Sequence, residues 1–238
     1  MSKTDVAVLY HLLLGMSEQE VRSLNGGNLW WLPDLSTLTV LQAINAIGSA
    51  LQAFRTLDRR TYCIAWIYCR LAELQLIRCW HSYSLSPCAA VLTGDFRLEE
   101  SLASALDYPG GHTTHAKIDG DEGVYACIMT TKPTRATSEH DVICLCMPRS
   151  LPHLFASVPP FTESRFDAAL EAVLRVRPAE IYDGYCIEMR NVFANARLMA
   201  ASSSTDAEQR QRSCNWSPSP PTYVHRMSPT NRDGSNGT

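Results

Sequence analysis

Between Cys63 and Trp80 the chain runs almost without a polar face. Cys63, Ile64, Trp66, Ile67, Leu71, Leu74, Leu76, Ile77 and Trp80 recur at spacings that cover most of the circumference of a helix predicted over 58–82. A helix apolar nearly all round belongs in the middle of a bundle, with other elements packed on several sides. Arg70 and Glu73, three apart, can pair on its remaining polar strip. The rest of the chain has to supply the cover for this segment.

The segments before it read as short helices. Val6, Leu9, Leu13 and Met16 repeat three and four apart, which predicts a helix over 4–15. Ser17-Glu18-Gln19-Glu20 has the form of a capping box and starts a second helix, which should stop near Asn25-Gly26-Gly27. Trp30 and Trp31 lie in an apolar connector before Pro33. A third helix is predicted over 36–54. It carries Ser36, Thr37, Thr39, Gln42, Asn45, Ser49 and Gln52, which suits an amphipathic helix rather than a membrane span. A fifth helix, 97–108, ends before Pro109-Gly110-Gly111.

After residue 111 the period changes to two. Residues 123–129 and 142–147 read as strands joined by a polar tip containing Thr131-Lys132-Pro133, and 154–156 adds a short third strand. Thr162 then caps a helix over 163–176, followed by a strand at 180–182 and a last helix over 186–200. The order β-β-β-α-β-α points to an α+β fold with a β-hairpin or meander. The expected organisation is a helical module over 1–110, a small mixed α/β domain over 111–201, and a tail over 202–238. That tail is rich in Ser, Pro and Asn, predicts disorder, and carries Ser217-Pro218, Ser219-Pro220 and Ser228-Pro229.

The formal net charge of -3 resembles neither a basic nucleic-acid-coating protein nor an acidic disordered chain. No N-terminal run fits a signal peptide, and the nine cysteines are odd in number and sit mostly in apolar runs, so they read as free, buried thiols in a reducing compartment. Cys144-x-Cys146 places two sulfurs on one face of a strand, as core residues. No phosphate loop, dinucleotide fingerprint, nucleophile elbow or zincin motif occurs. His112 and His115 follow a Gly-Gly turn and read as an exposed loop, without the partners a metal would need. Asp119, Asp121 and Glu122 form a solvated acidic turn that lacks the closing glutamate of a calcium loop. The chain therefore reads as a binding protein rather than an enzyme, with no cofactor and no metal. A divergent cysteine-dependent enzyme is the weakest reading.

The basic residues are more informative. Arg55, Arg59 and Arg60 cluster where the third helix passes into the fourth. Lys132 and Arg135 sit on the hairpin tip, and Arg175 and Arg177 end the helix before the last strand. Contact with a duplex is spread along its backbone, so it needs cations presented outward from several elements. Solvated surface and compensation of helix ends account equally well for each cluster taken singly.

Three blocks of the chain resemble the centromere protein N family. Leu9 to Val21 looks like its opening pair of helices, and Cys63–Tyr68 through Trp80–Tyr83 like its aromatic-rich central helix. Val124–Met147 with Thr131-Lys132-Pro133 between two strands, then 152–157, resembles the domain that follows, and the pattern continues to Asn191-Val192-Phe193. The resemblance implies an N-terminal pyrin-like (death-fold-like) helical bundle and a domain shared with centromere protein L. It implies a non-enzymatic kinetochore adaptor in the nucleus that binds the centromeric nucleosome through a histone H3 variant and DNA, together with a centromere protein L-like partner. By the same carry-over Lys132 matches a basic residue of the strand-connecting loop, with Arg135 beside it. Arg55, Arg59 and Arg60 fall in the region of the helical domain where the family carries basic residues, without exact correspondence; with Arg175 and Arg177, singled out by charge alone, they are expected on the DNA backbone. Asp5 is the acid the first helix offers to a histone, while Lys3 and Ala7 stand where family acids would be expected. The alternative is a helical protein-interaction module that binds no nucleic acid, with Trp30 and Trp31 as anchors or as packing beneath the helices.

Overall fold

Ser17 and Thr39 start helices in the same way. Ser17 Oγ accepts from the Glu20 N–H at 3.3 Å while Glu20 Oε2 accepts from the Ser17 N–H at 2.6 Å, which opens α2 (Glu18–Ser23). Thr39 and Gln42 repeat the exchange at the head of α3 (Val40–Ala53). Each pair satisfies backbone donors that a helix start leaves bare. α3 begins later than expected because residues 35–38 close a turn of their own, with the Leu38 N–H on the Leu35 carbonyl. Ahead of them, α1 (Lys3–Leu14) buries Leu9 and Leu13. The Tyr10 hydroxyl of α1 occupies the space a Cβ at position 48 would need, so the two helices meet at Gly48. The computed structural model describes residues 3–25, 29–85, 97–131, 139–149, 151–175 and 179–180, with the single positions 189, 194 and 197.

α4 (Leu57–Glu73) buries Thr61, every residue from Cys63 to Cys69, Leu71 and Ala72. It lies between layers rather than inside a bundle of helices, packing against α3 on one side and against the sheet on the other. The expected extension to Ser82 does not occur. Gln75 takes a left-handed conformation with φ 60, the Leu76 N–H reaches back to the Leu71 carbonyl at 2.8 Å, and the Gln75 N–H to Ala72 at 2.9 Å. That is a Schellman ending, closed by Leu76 beyond the turn. Arg70 pairs with Glu73 and donates to the Ser23 carbonyl at 2.9 Å, tying this end to α2. The aromatic residues expected to finish the helix instead lead into β1 (His81–Ser84).

The remaining elements are α5 (Leu98–Leu106), β2 (Thr113–Asp119), β3 (Gly123–Thr131), β4 (His140–Pro148), β5 (His153–Ser157), α6 (Glu163–Leu174) and β6 (Ala179–Glu180). Among the described residues the fold is mixed α+β, and its strands form one antiparallel sheet in the order β2-β3-β4-β5-β1-β6. The hairpin is paired from Gly123 opposite Pro148 to Thr131 opposite His140. β2 lies on the far side of β3, Thr113 opposite Thr130, so the segment with His115 is a strand and not the exposed loop expected from its Gly-Gly turn. Gly123 is needed where it stands: a side chain there would meet the Met147 carbonyl of the neighbouring strand. Thr162 precedes α6 without capping it; its hydroxyl donates to Asp141 Oδ2 at 2.8 Å.

Strand alternation divides the interior in two. Tyr125, Cys127, Met129, Cys144, Cys146 and Phe155 belong to the core shared with α4, α3 and α1. Ala126, Ile128, Ile143 and Leu145 belong to a second core with Leu102 of α5 and Phe166 and Leu170 of α6. Residues 1–200 form one compact unit, and the first core runs across residue 110, where a boundary between a helical module and an α/β domain was expected. Among the described residues no helix is long and apolar enough to cross a membrane. Most of the last helix expected at 186–200 and all of the tail expected at 202–238 lie outside the described residues.

Candidate nucleic-acid interface

The first turn of α4 is held by its own side chains. Thr61, fully buried, donates from Oγ1 to the carbonyls of Leu57 at 3.0 Å and Asp58 at 3.1 Å, and the same oxygen lies 3.0 Å from His112 Nε2. The other ring nitrogen of His112 faces Asp58 Oδ1 at 3.4 Å. The His112 backbone is bonded to the last residue of β3: its N–H donates to Thr131 Oγ1 at 2.8 Å, and its carbonyl accepts from the Thr131 N–H at 2.9 Å. The ring then stands edge-on to His140, with centroids 5.9 Å apart at 87°. His112 thereby joins the start of α4 to both ends of the connection between β3 and β4.

His140 is clamped from the opposite side. Asp5 Oδ1 accepts from the His140 N–H at 3.0 Å, and Oδ2 lies 3.0 Å from His140 Nδ1. The two side chains are 5% and 0% exposed, so the pair is a buried joint between the first turn of α1 and the first residue of β4. This corrects the expectation for Asp5. The acid expected to reach a histone is bound inside the protein.

The arginines separate into different roles. Arg55 and Arg59 are exposed. Arg60 turns inward, donating from Nε to the Phe54 carbonyl at 2.7 Å, and so satisfies the end of α3 at the corner that presents Arg55. Arg175 is exposed, at the left-handed end of α6 with φ 56. The start of that helix is tied to β4 through Thr162 and Asp141, and its twelve residues put Arg175 about 18 Å along the axis from there. Lys132, Arg135 and Arg177 lie outside the described residues, although Thr131 and His140 show where the 132–138 connection leaves the sheet. Arg59 follows Asp58, whose carboxylate faces His112, in the first turn of α4, and Arg55 lies at the corner just before it.

Beside Arg59 lies a cavity of about 410 Å³ walled by Trp30, Trp31, Phe54, Tyr62 and Cys63. A larger cleft of about 620 Å³ runs along α1 past Val8, His11 and Leu12 to Arg78 and Val142. Cys63, on the smaller cavity, and Cys69, Cys127 and Cys146 of the core are packing groups. Burial pushes Cys63 up to about 11 and Cys146 up to about 12, and Cys69 and Cys127 well above the usual thiol range, so they stay neutral at physiological pH. No protein-family model matches the chain, and no curated protein matches it in sequence.

Proposed function

We propose that the chain is a chromatin adaptor that grips the DNA backbone of a nucleosome at the end where α4 begins and the β3–β4 connection leaves the sheet. One observation carries this reading. His112 links Asp58 and Thr61 to Thr131 and stands edge-on to His140, which joins the first turn of α4, the turn that carries Arg59, to the base of the 132–138 segment and supports a grip shared by the two. A duplex can be held only by cations that several elements present on one side. The resemblance to the centromere protein N family extends the proposal to the centromeric nucleosome, a centromere protein L-like partner, a place in the nucleus at the kinetochore, and a pyrin-like reading of α1–α4. Lys132 and Arg135 belong to the proposed grip, and Arg175 and Arg177 to a separate contact. Arg60 supports it as a positioning residue. Asp5 takes no part, so selection of the histone variant falls to other groups.

The test is a gel shift of reconstituted nucleosomes over a salt series, with the full chain and its Arg55→Glu/Arg59→Glu variant. Loss of two phosphate contacts lowers the slope of log affinity against log salt by about 1.8. A slope unchanged by the double variant would remove the interface from this edge. Equal binding to variant and ordinary nucleosomes would remove the centromeric part and leave the backbone grip.

A further inference from the structure

Among the described residues β2 is the last strand on its side of the sheet. Two bonds at its ends decide which of its backbone groups face outward. The Thr131 N–H donates to the His112 carbonyl at 2.9 Å, and the Gly120 N–H donates to the Gly123 carbonyl at 2.9 Å. Bonded residues alternate along an antiparallel ladder. With Thr113 opposite Thr130 and Asp119 opposite Val124, residues 112, 114, 116, 118 and 120 bond to β3, and Thr113, His115, Lys117 and Asp119 turn their N–H and carbonyl groups away from it. None of these outward groups has a backbone partner among the described residues, and the four side chains are half-buried or exposed.

Donors and acceptors alternating at this spacing are matched by the backbone of another extended chain. Charged side chains on an edge strand ordinarily discourage such pairing, but here they are engaged inside the protein. Lys117 Nζ lies 2.8 Å from Glu99 Oε1, and Arg149 Nη2 donates to Asp119 Oδ1 at 3.3 Å. The charges left without a partner among the described residues lie at the two ends of the strand and have opposite signs. Asp121 and Glu122, both exposed, follow its C-terminal end. Arg59 shares a cavity wall with Thr114 near its N-terminal end, and Arg55 lies at the corner before α4. The acids at that end are already engaged, Asp58 facing His112 at 3.4 Å and Asp107 accepting from the Thr113 hydroxyl at 3.0 Å. An identical strand laid antiparallel sets the acidic end of each copy beside the basic end of the other.

We infer that β2 pairs antiparallel with β2 of a second copy of this chain, about a two-fold axis through Ala116. In that register Thr113 lies opposite Asp119 of the second copy and His115 opposite its Lys117. With their symmetry mates these make four pairs, each exchanging two backbone bonds. Ala116 meets its own counterpart at a position where the strands approach most closely, and a methyl group fits there. Asp121 of the second copy comes opposite Gly111, next to His112, whose ring faces the turn that carries Arg59. This pairing goes beyond the DNA grip and does not depend on it.

Sedimentation velocity of the full chain over a concentration series, without DNA, tests the inference. An interface of one strand pair is small and therefore weak, so dimer should grow in up to about 0.5 mM and recede as salt is raised. His115→Pro removes one outward donor and no bond to β3, and an edge strand tolerates proline at such a position. It should weaken dimerisation about tenfold or more. Asp121→Lys/Glu122→Lys, at exposed turn positions, should also weaken it and reverse the sign of its salt dependence. Amide exchange reads the alternation directly: residues 113, 115, 117 and 119 should gain protection only as concentration rises, while 114, 116 and 118 are protected throughout. A monomer across the whole series, a dimer indifferent to both variants, or outward amides that ignore concentration would each overturn it. Nucleosomes enter none of these readouts, so the pairing and the DNA grip can each fail without the other.

Discussion

Asp5 shows how a single carboxylate can carry a joint. It accepts from a backbone N–H and a ring nitrogen of the same residue, His140, and both partners are almost fully excluded from water. Truncation leaves a buried N–H and a buried imidazole without their acceptor. Asp5→Ala is therefore expected to cost about 2–4 kcal/mol, read as a lowered midpoint in urea with an unchanged slope. A loss within error of zero would mean that α1 is not held there. Nothing in the sequence points to this pairing, because 135 positions separate the partners and neither belongs to a motif. The Asp58–His112–Thr61 contacts were hidden for the same reason. The sequence does place Arg55, Arg59 and Arg60 as a cluster, but it cannot tell which one turns inward. That depends on where the Phe54 carbonyl is left bare at the end of α3.

At the level of elements, legibility followed locality. The capping boxes at Ser17 and Thr39 and the strands 123–131 and 140–148 are written in short-range patterns, and alternation along the hairpin already assigns Cys144 and Cys146 to one face. The ending of α4 is not written locally. Its left-handed position holds Gln75 where glycine is the usual signal, so the apolar periodicity through Trp80 reads on as helix. The strain at that position is itself testable. Gln75→Gly should stabilise the protein by about 0.5–1 kcal/mol even after the entropy that glycine adds to the unfolded chain, raising the thermal midpoint. A lowered midpoint would show that Gln75 contributes more by its contacts than it loses in its backbone. β2 was missed for a different reason. Its burial pattern follows no clean alternation, because it is an edge strand covered only in part.

For the molecule as a whole, the decisive relation is that α4 contributes to the same core as α1, α3 and one face of the sheet. A chain divided at residue 110 would unfold in two steps; one with this shared interior should unfold in one. Denaturation followed by amide resonances of α1 and α3 on the helical side and by those of β3 and β4 should give coincident midpoints, and separated midpoints would count against the shared core. The same relation bears on how the molecule fluctuates. Loops and chain ends can open singly, but baring residues 63–69 of α4 means parting the sheet from the helices above it. Solvent and proteases therefore reach that stretch only when the core it shares with α1, α3 and the sheet has come apart, and its slowest amide protons time that opening.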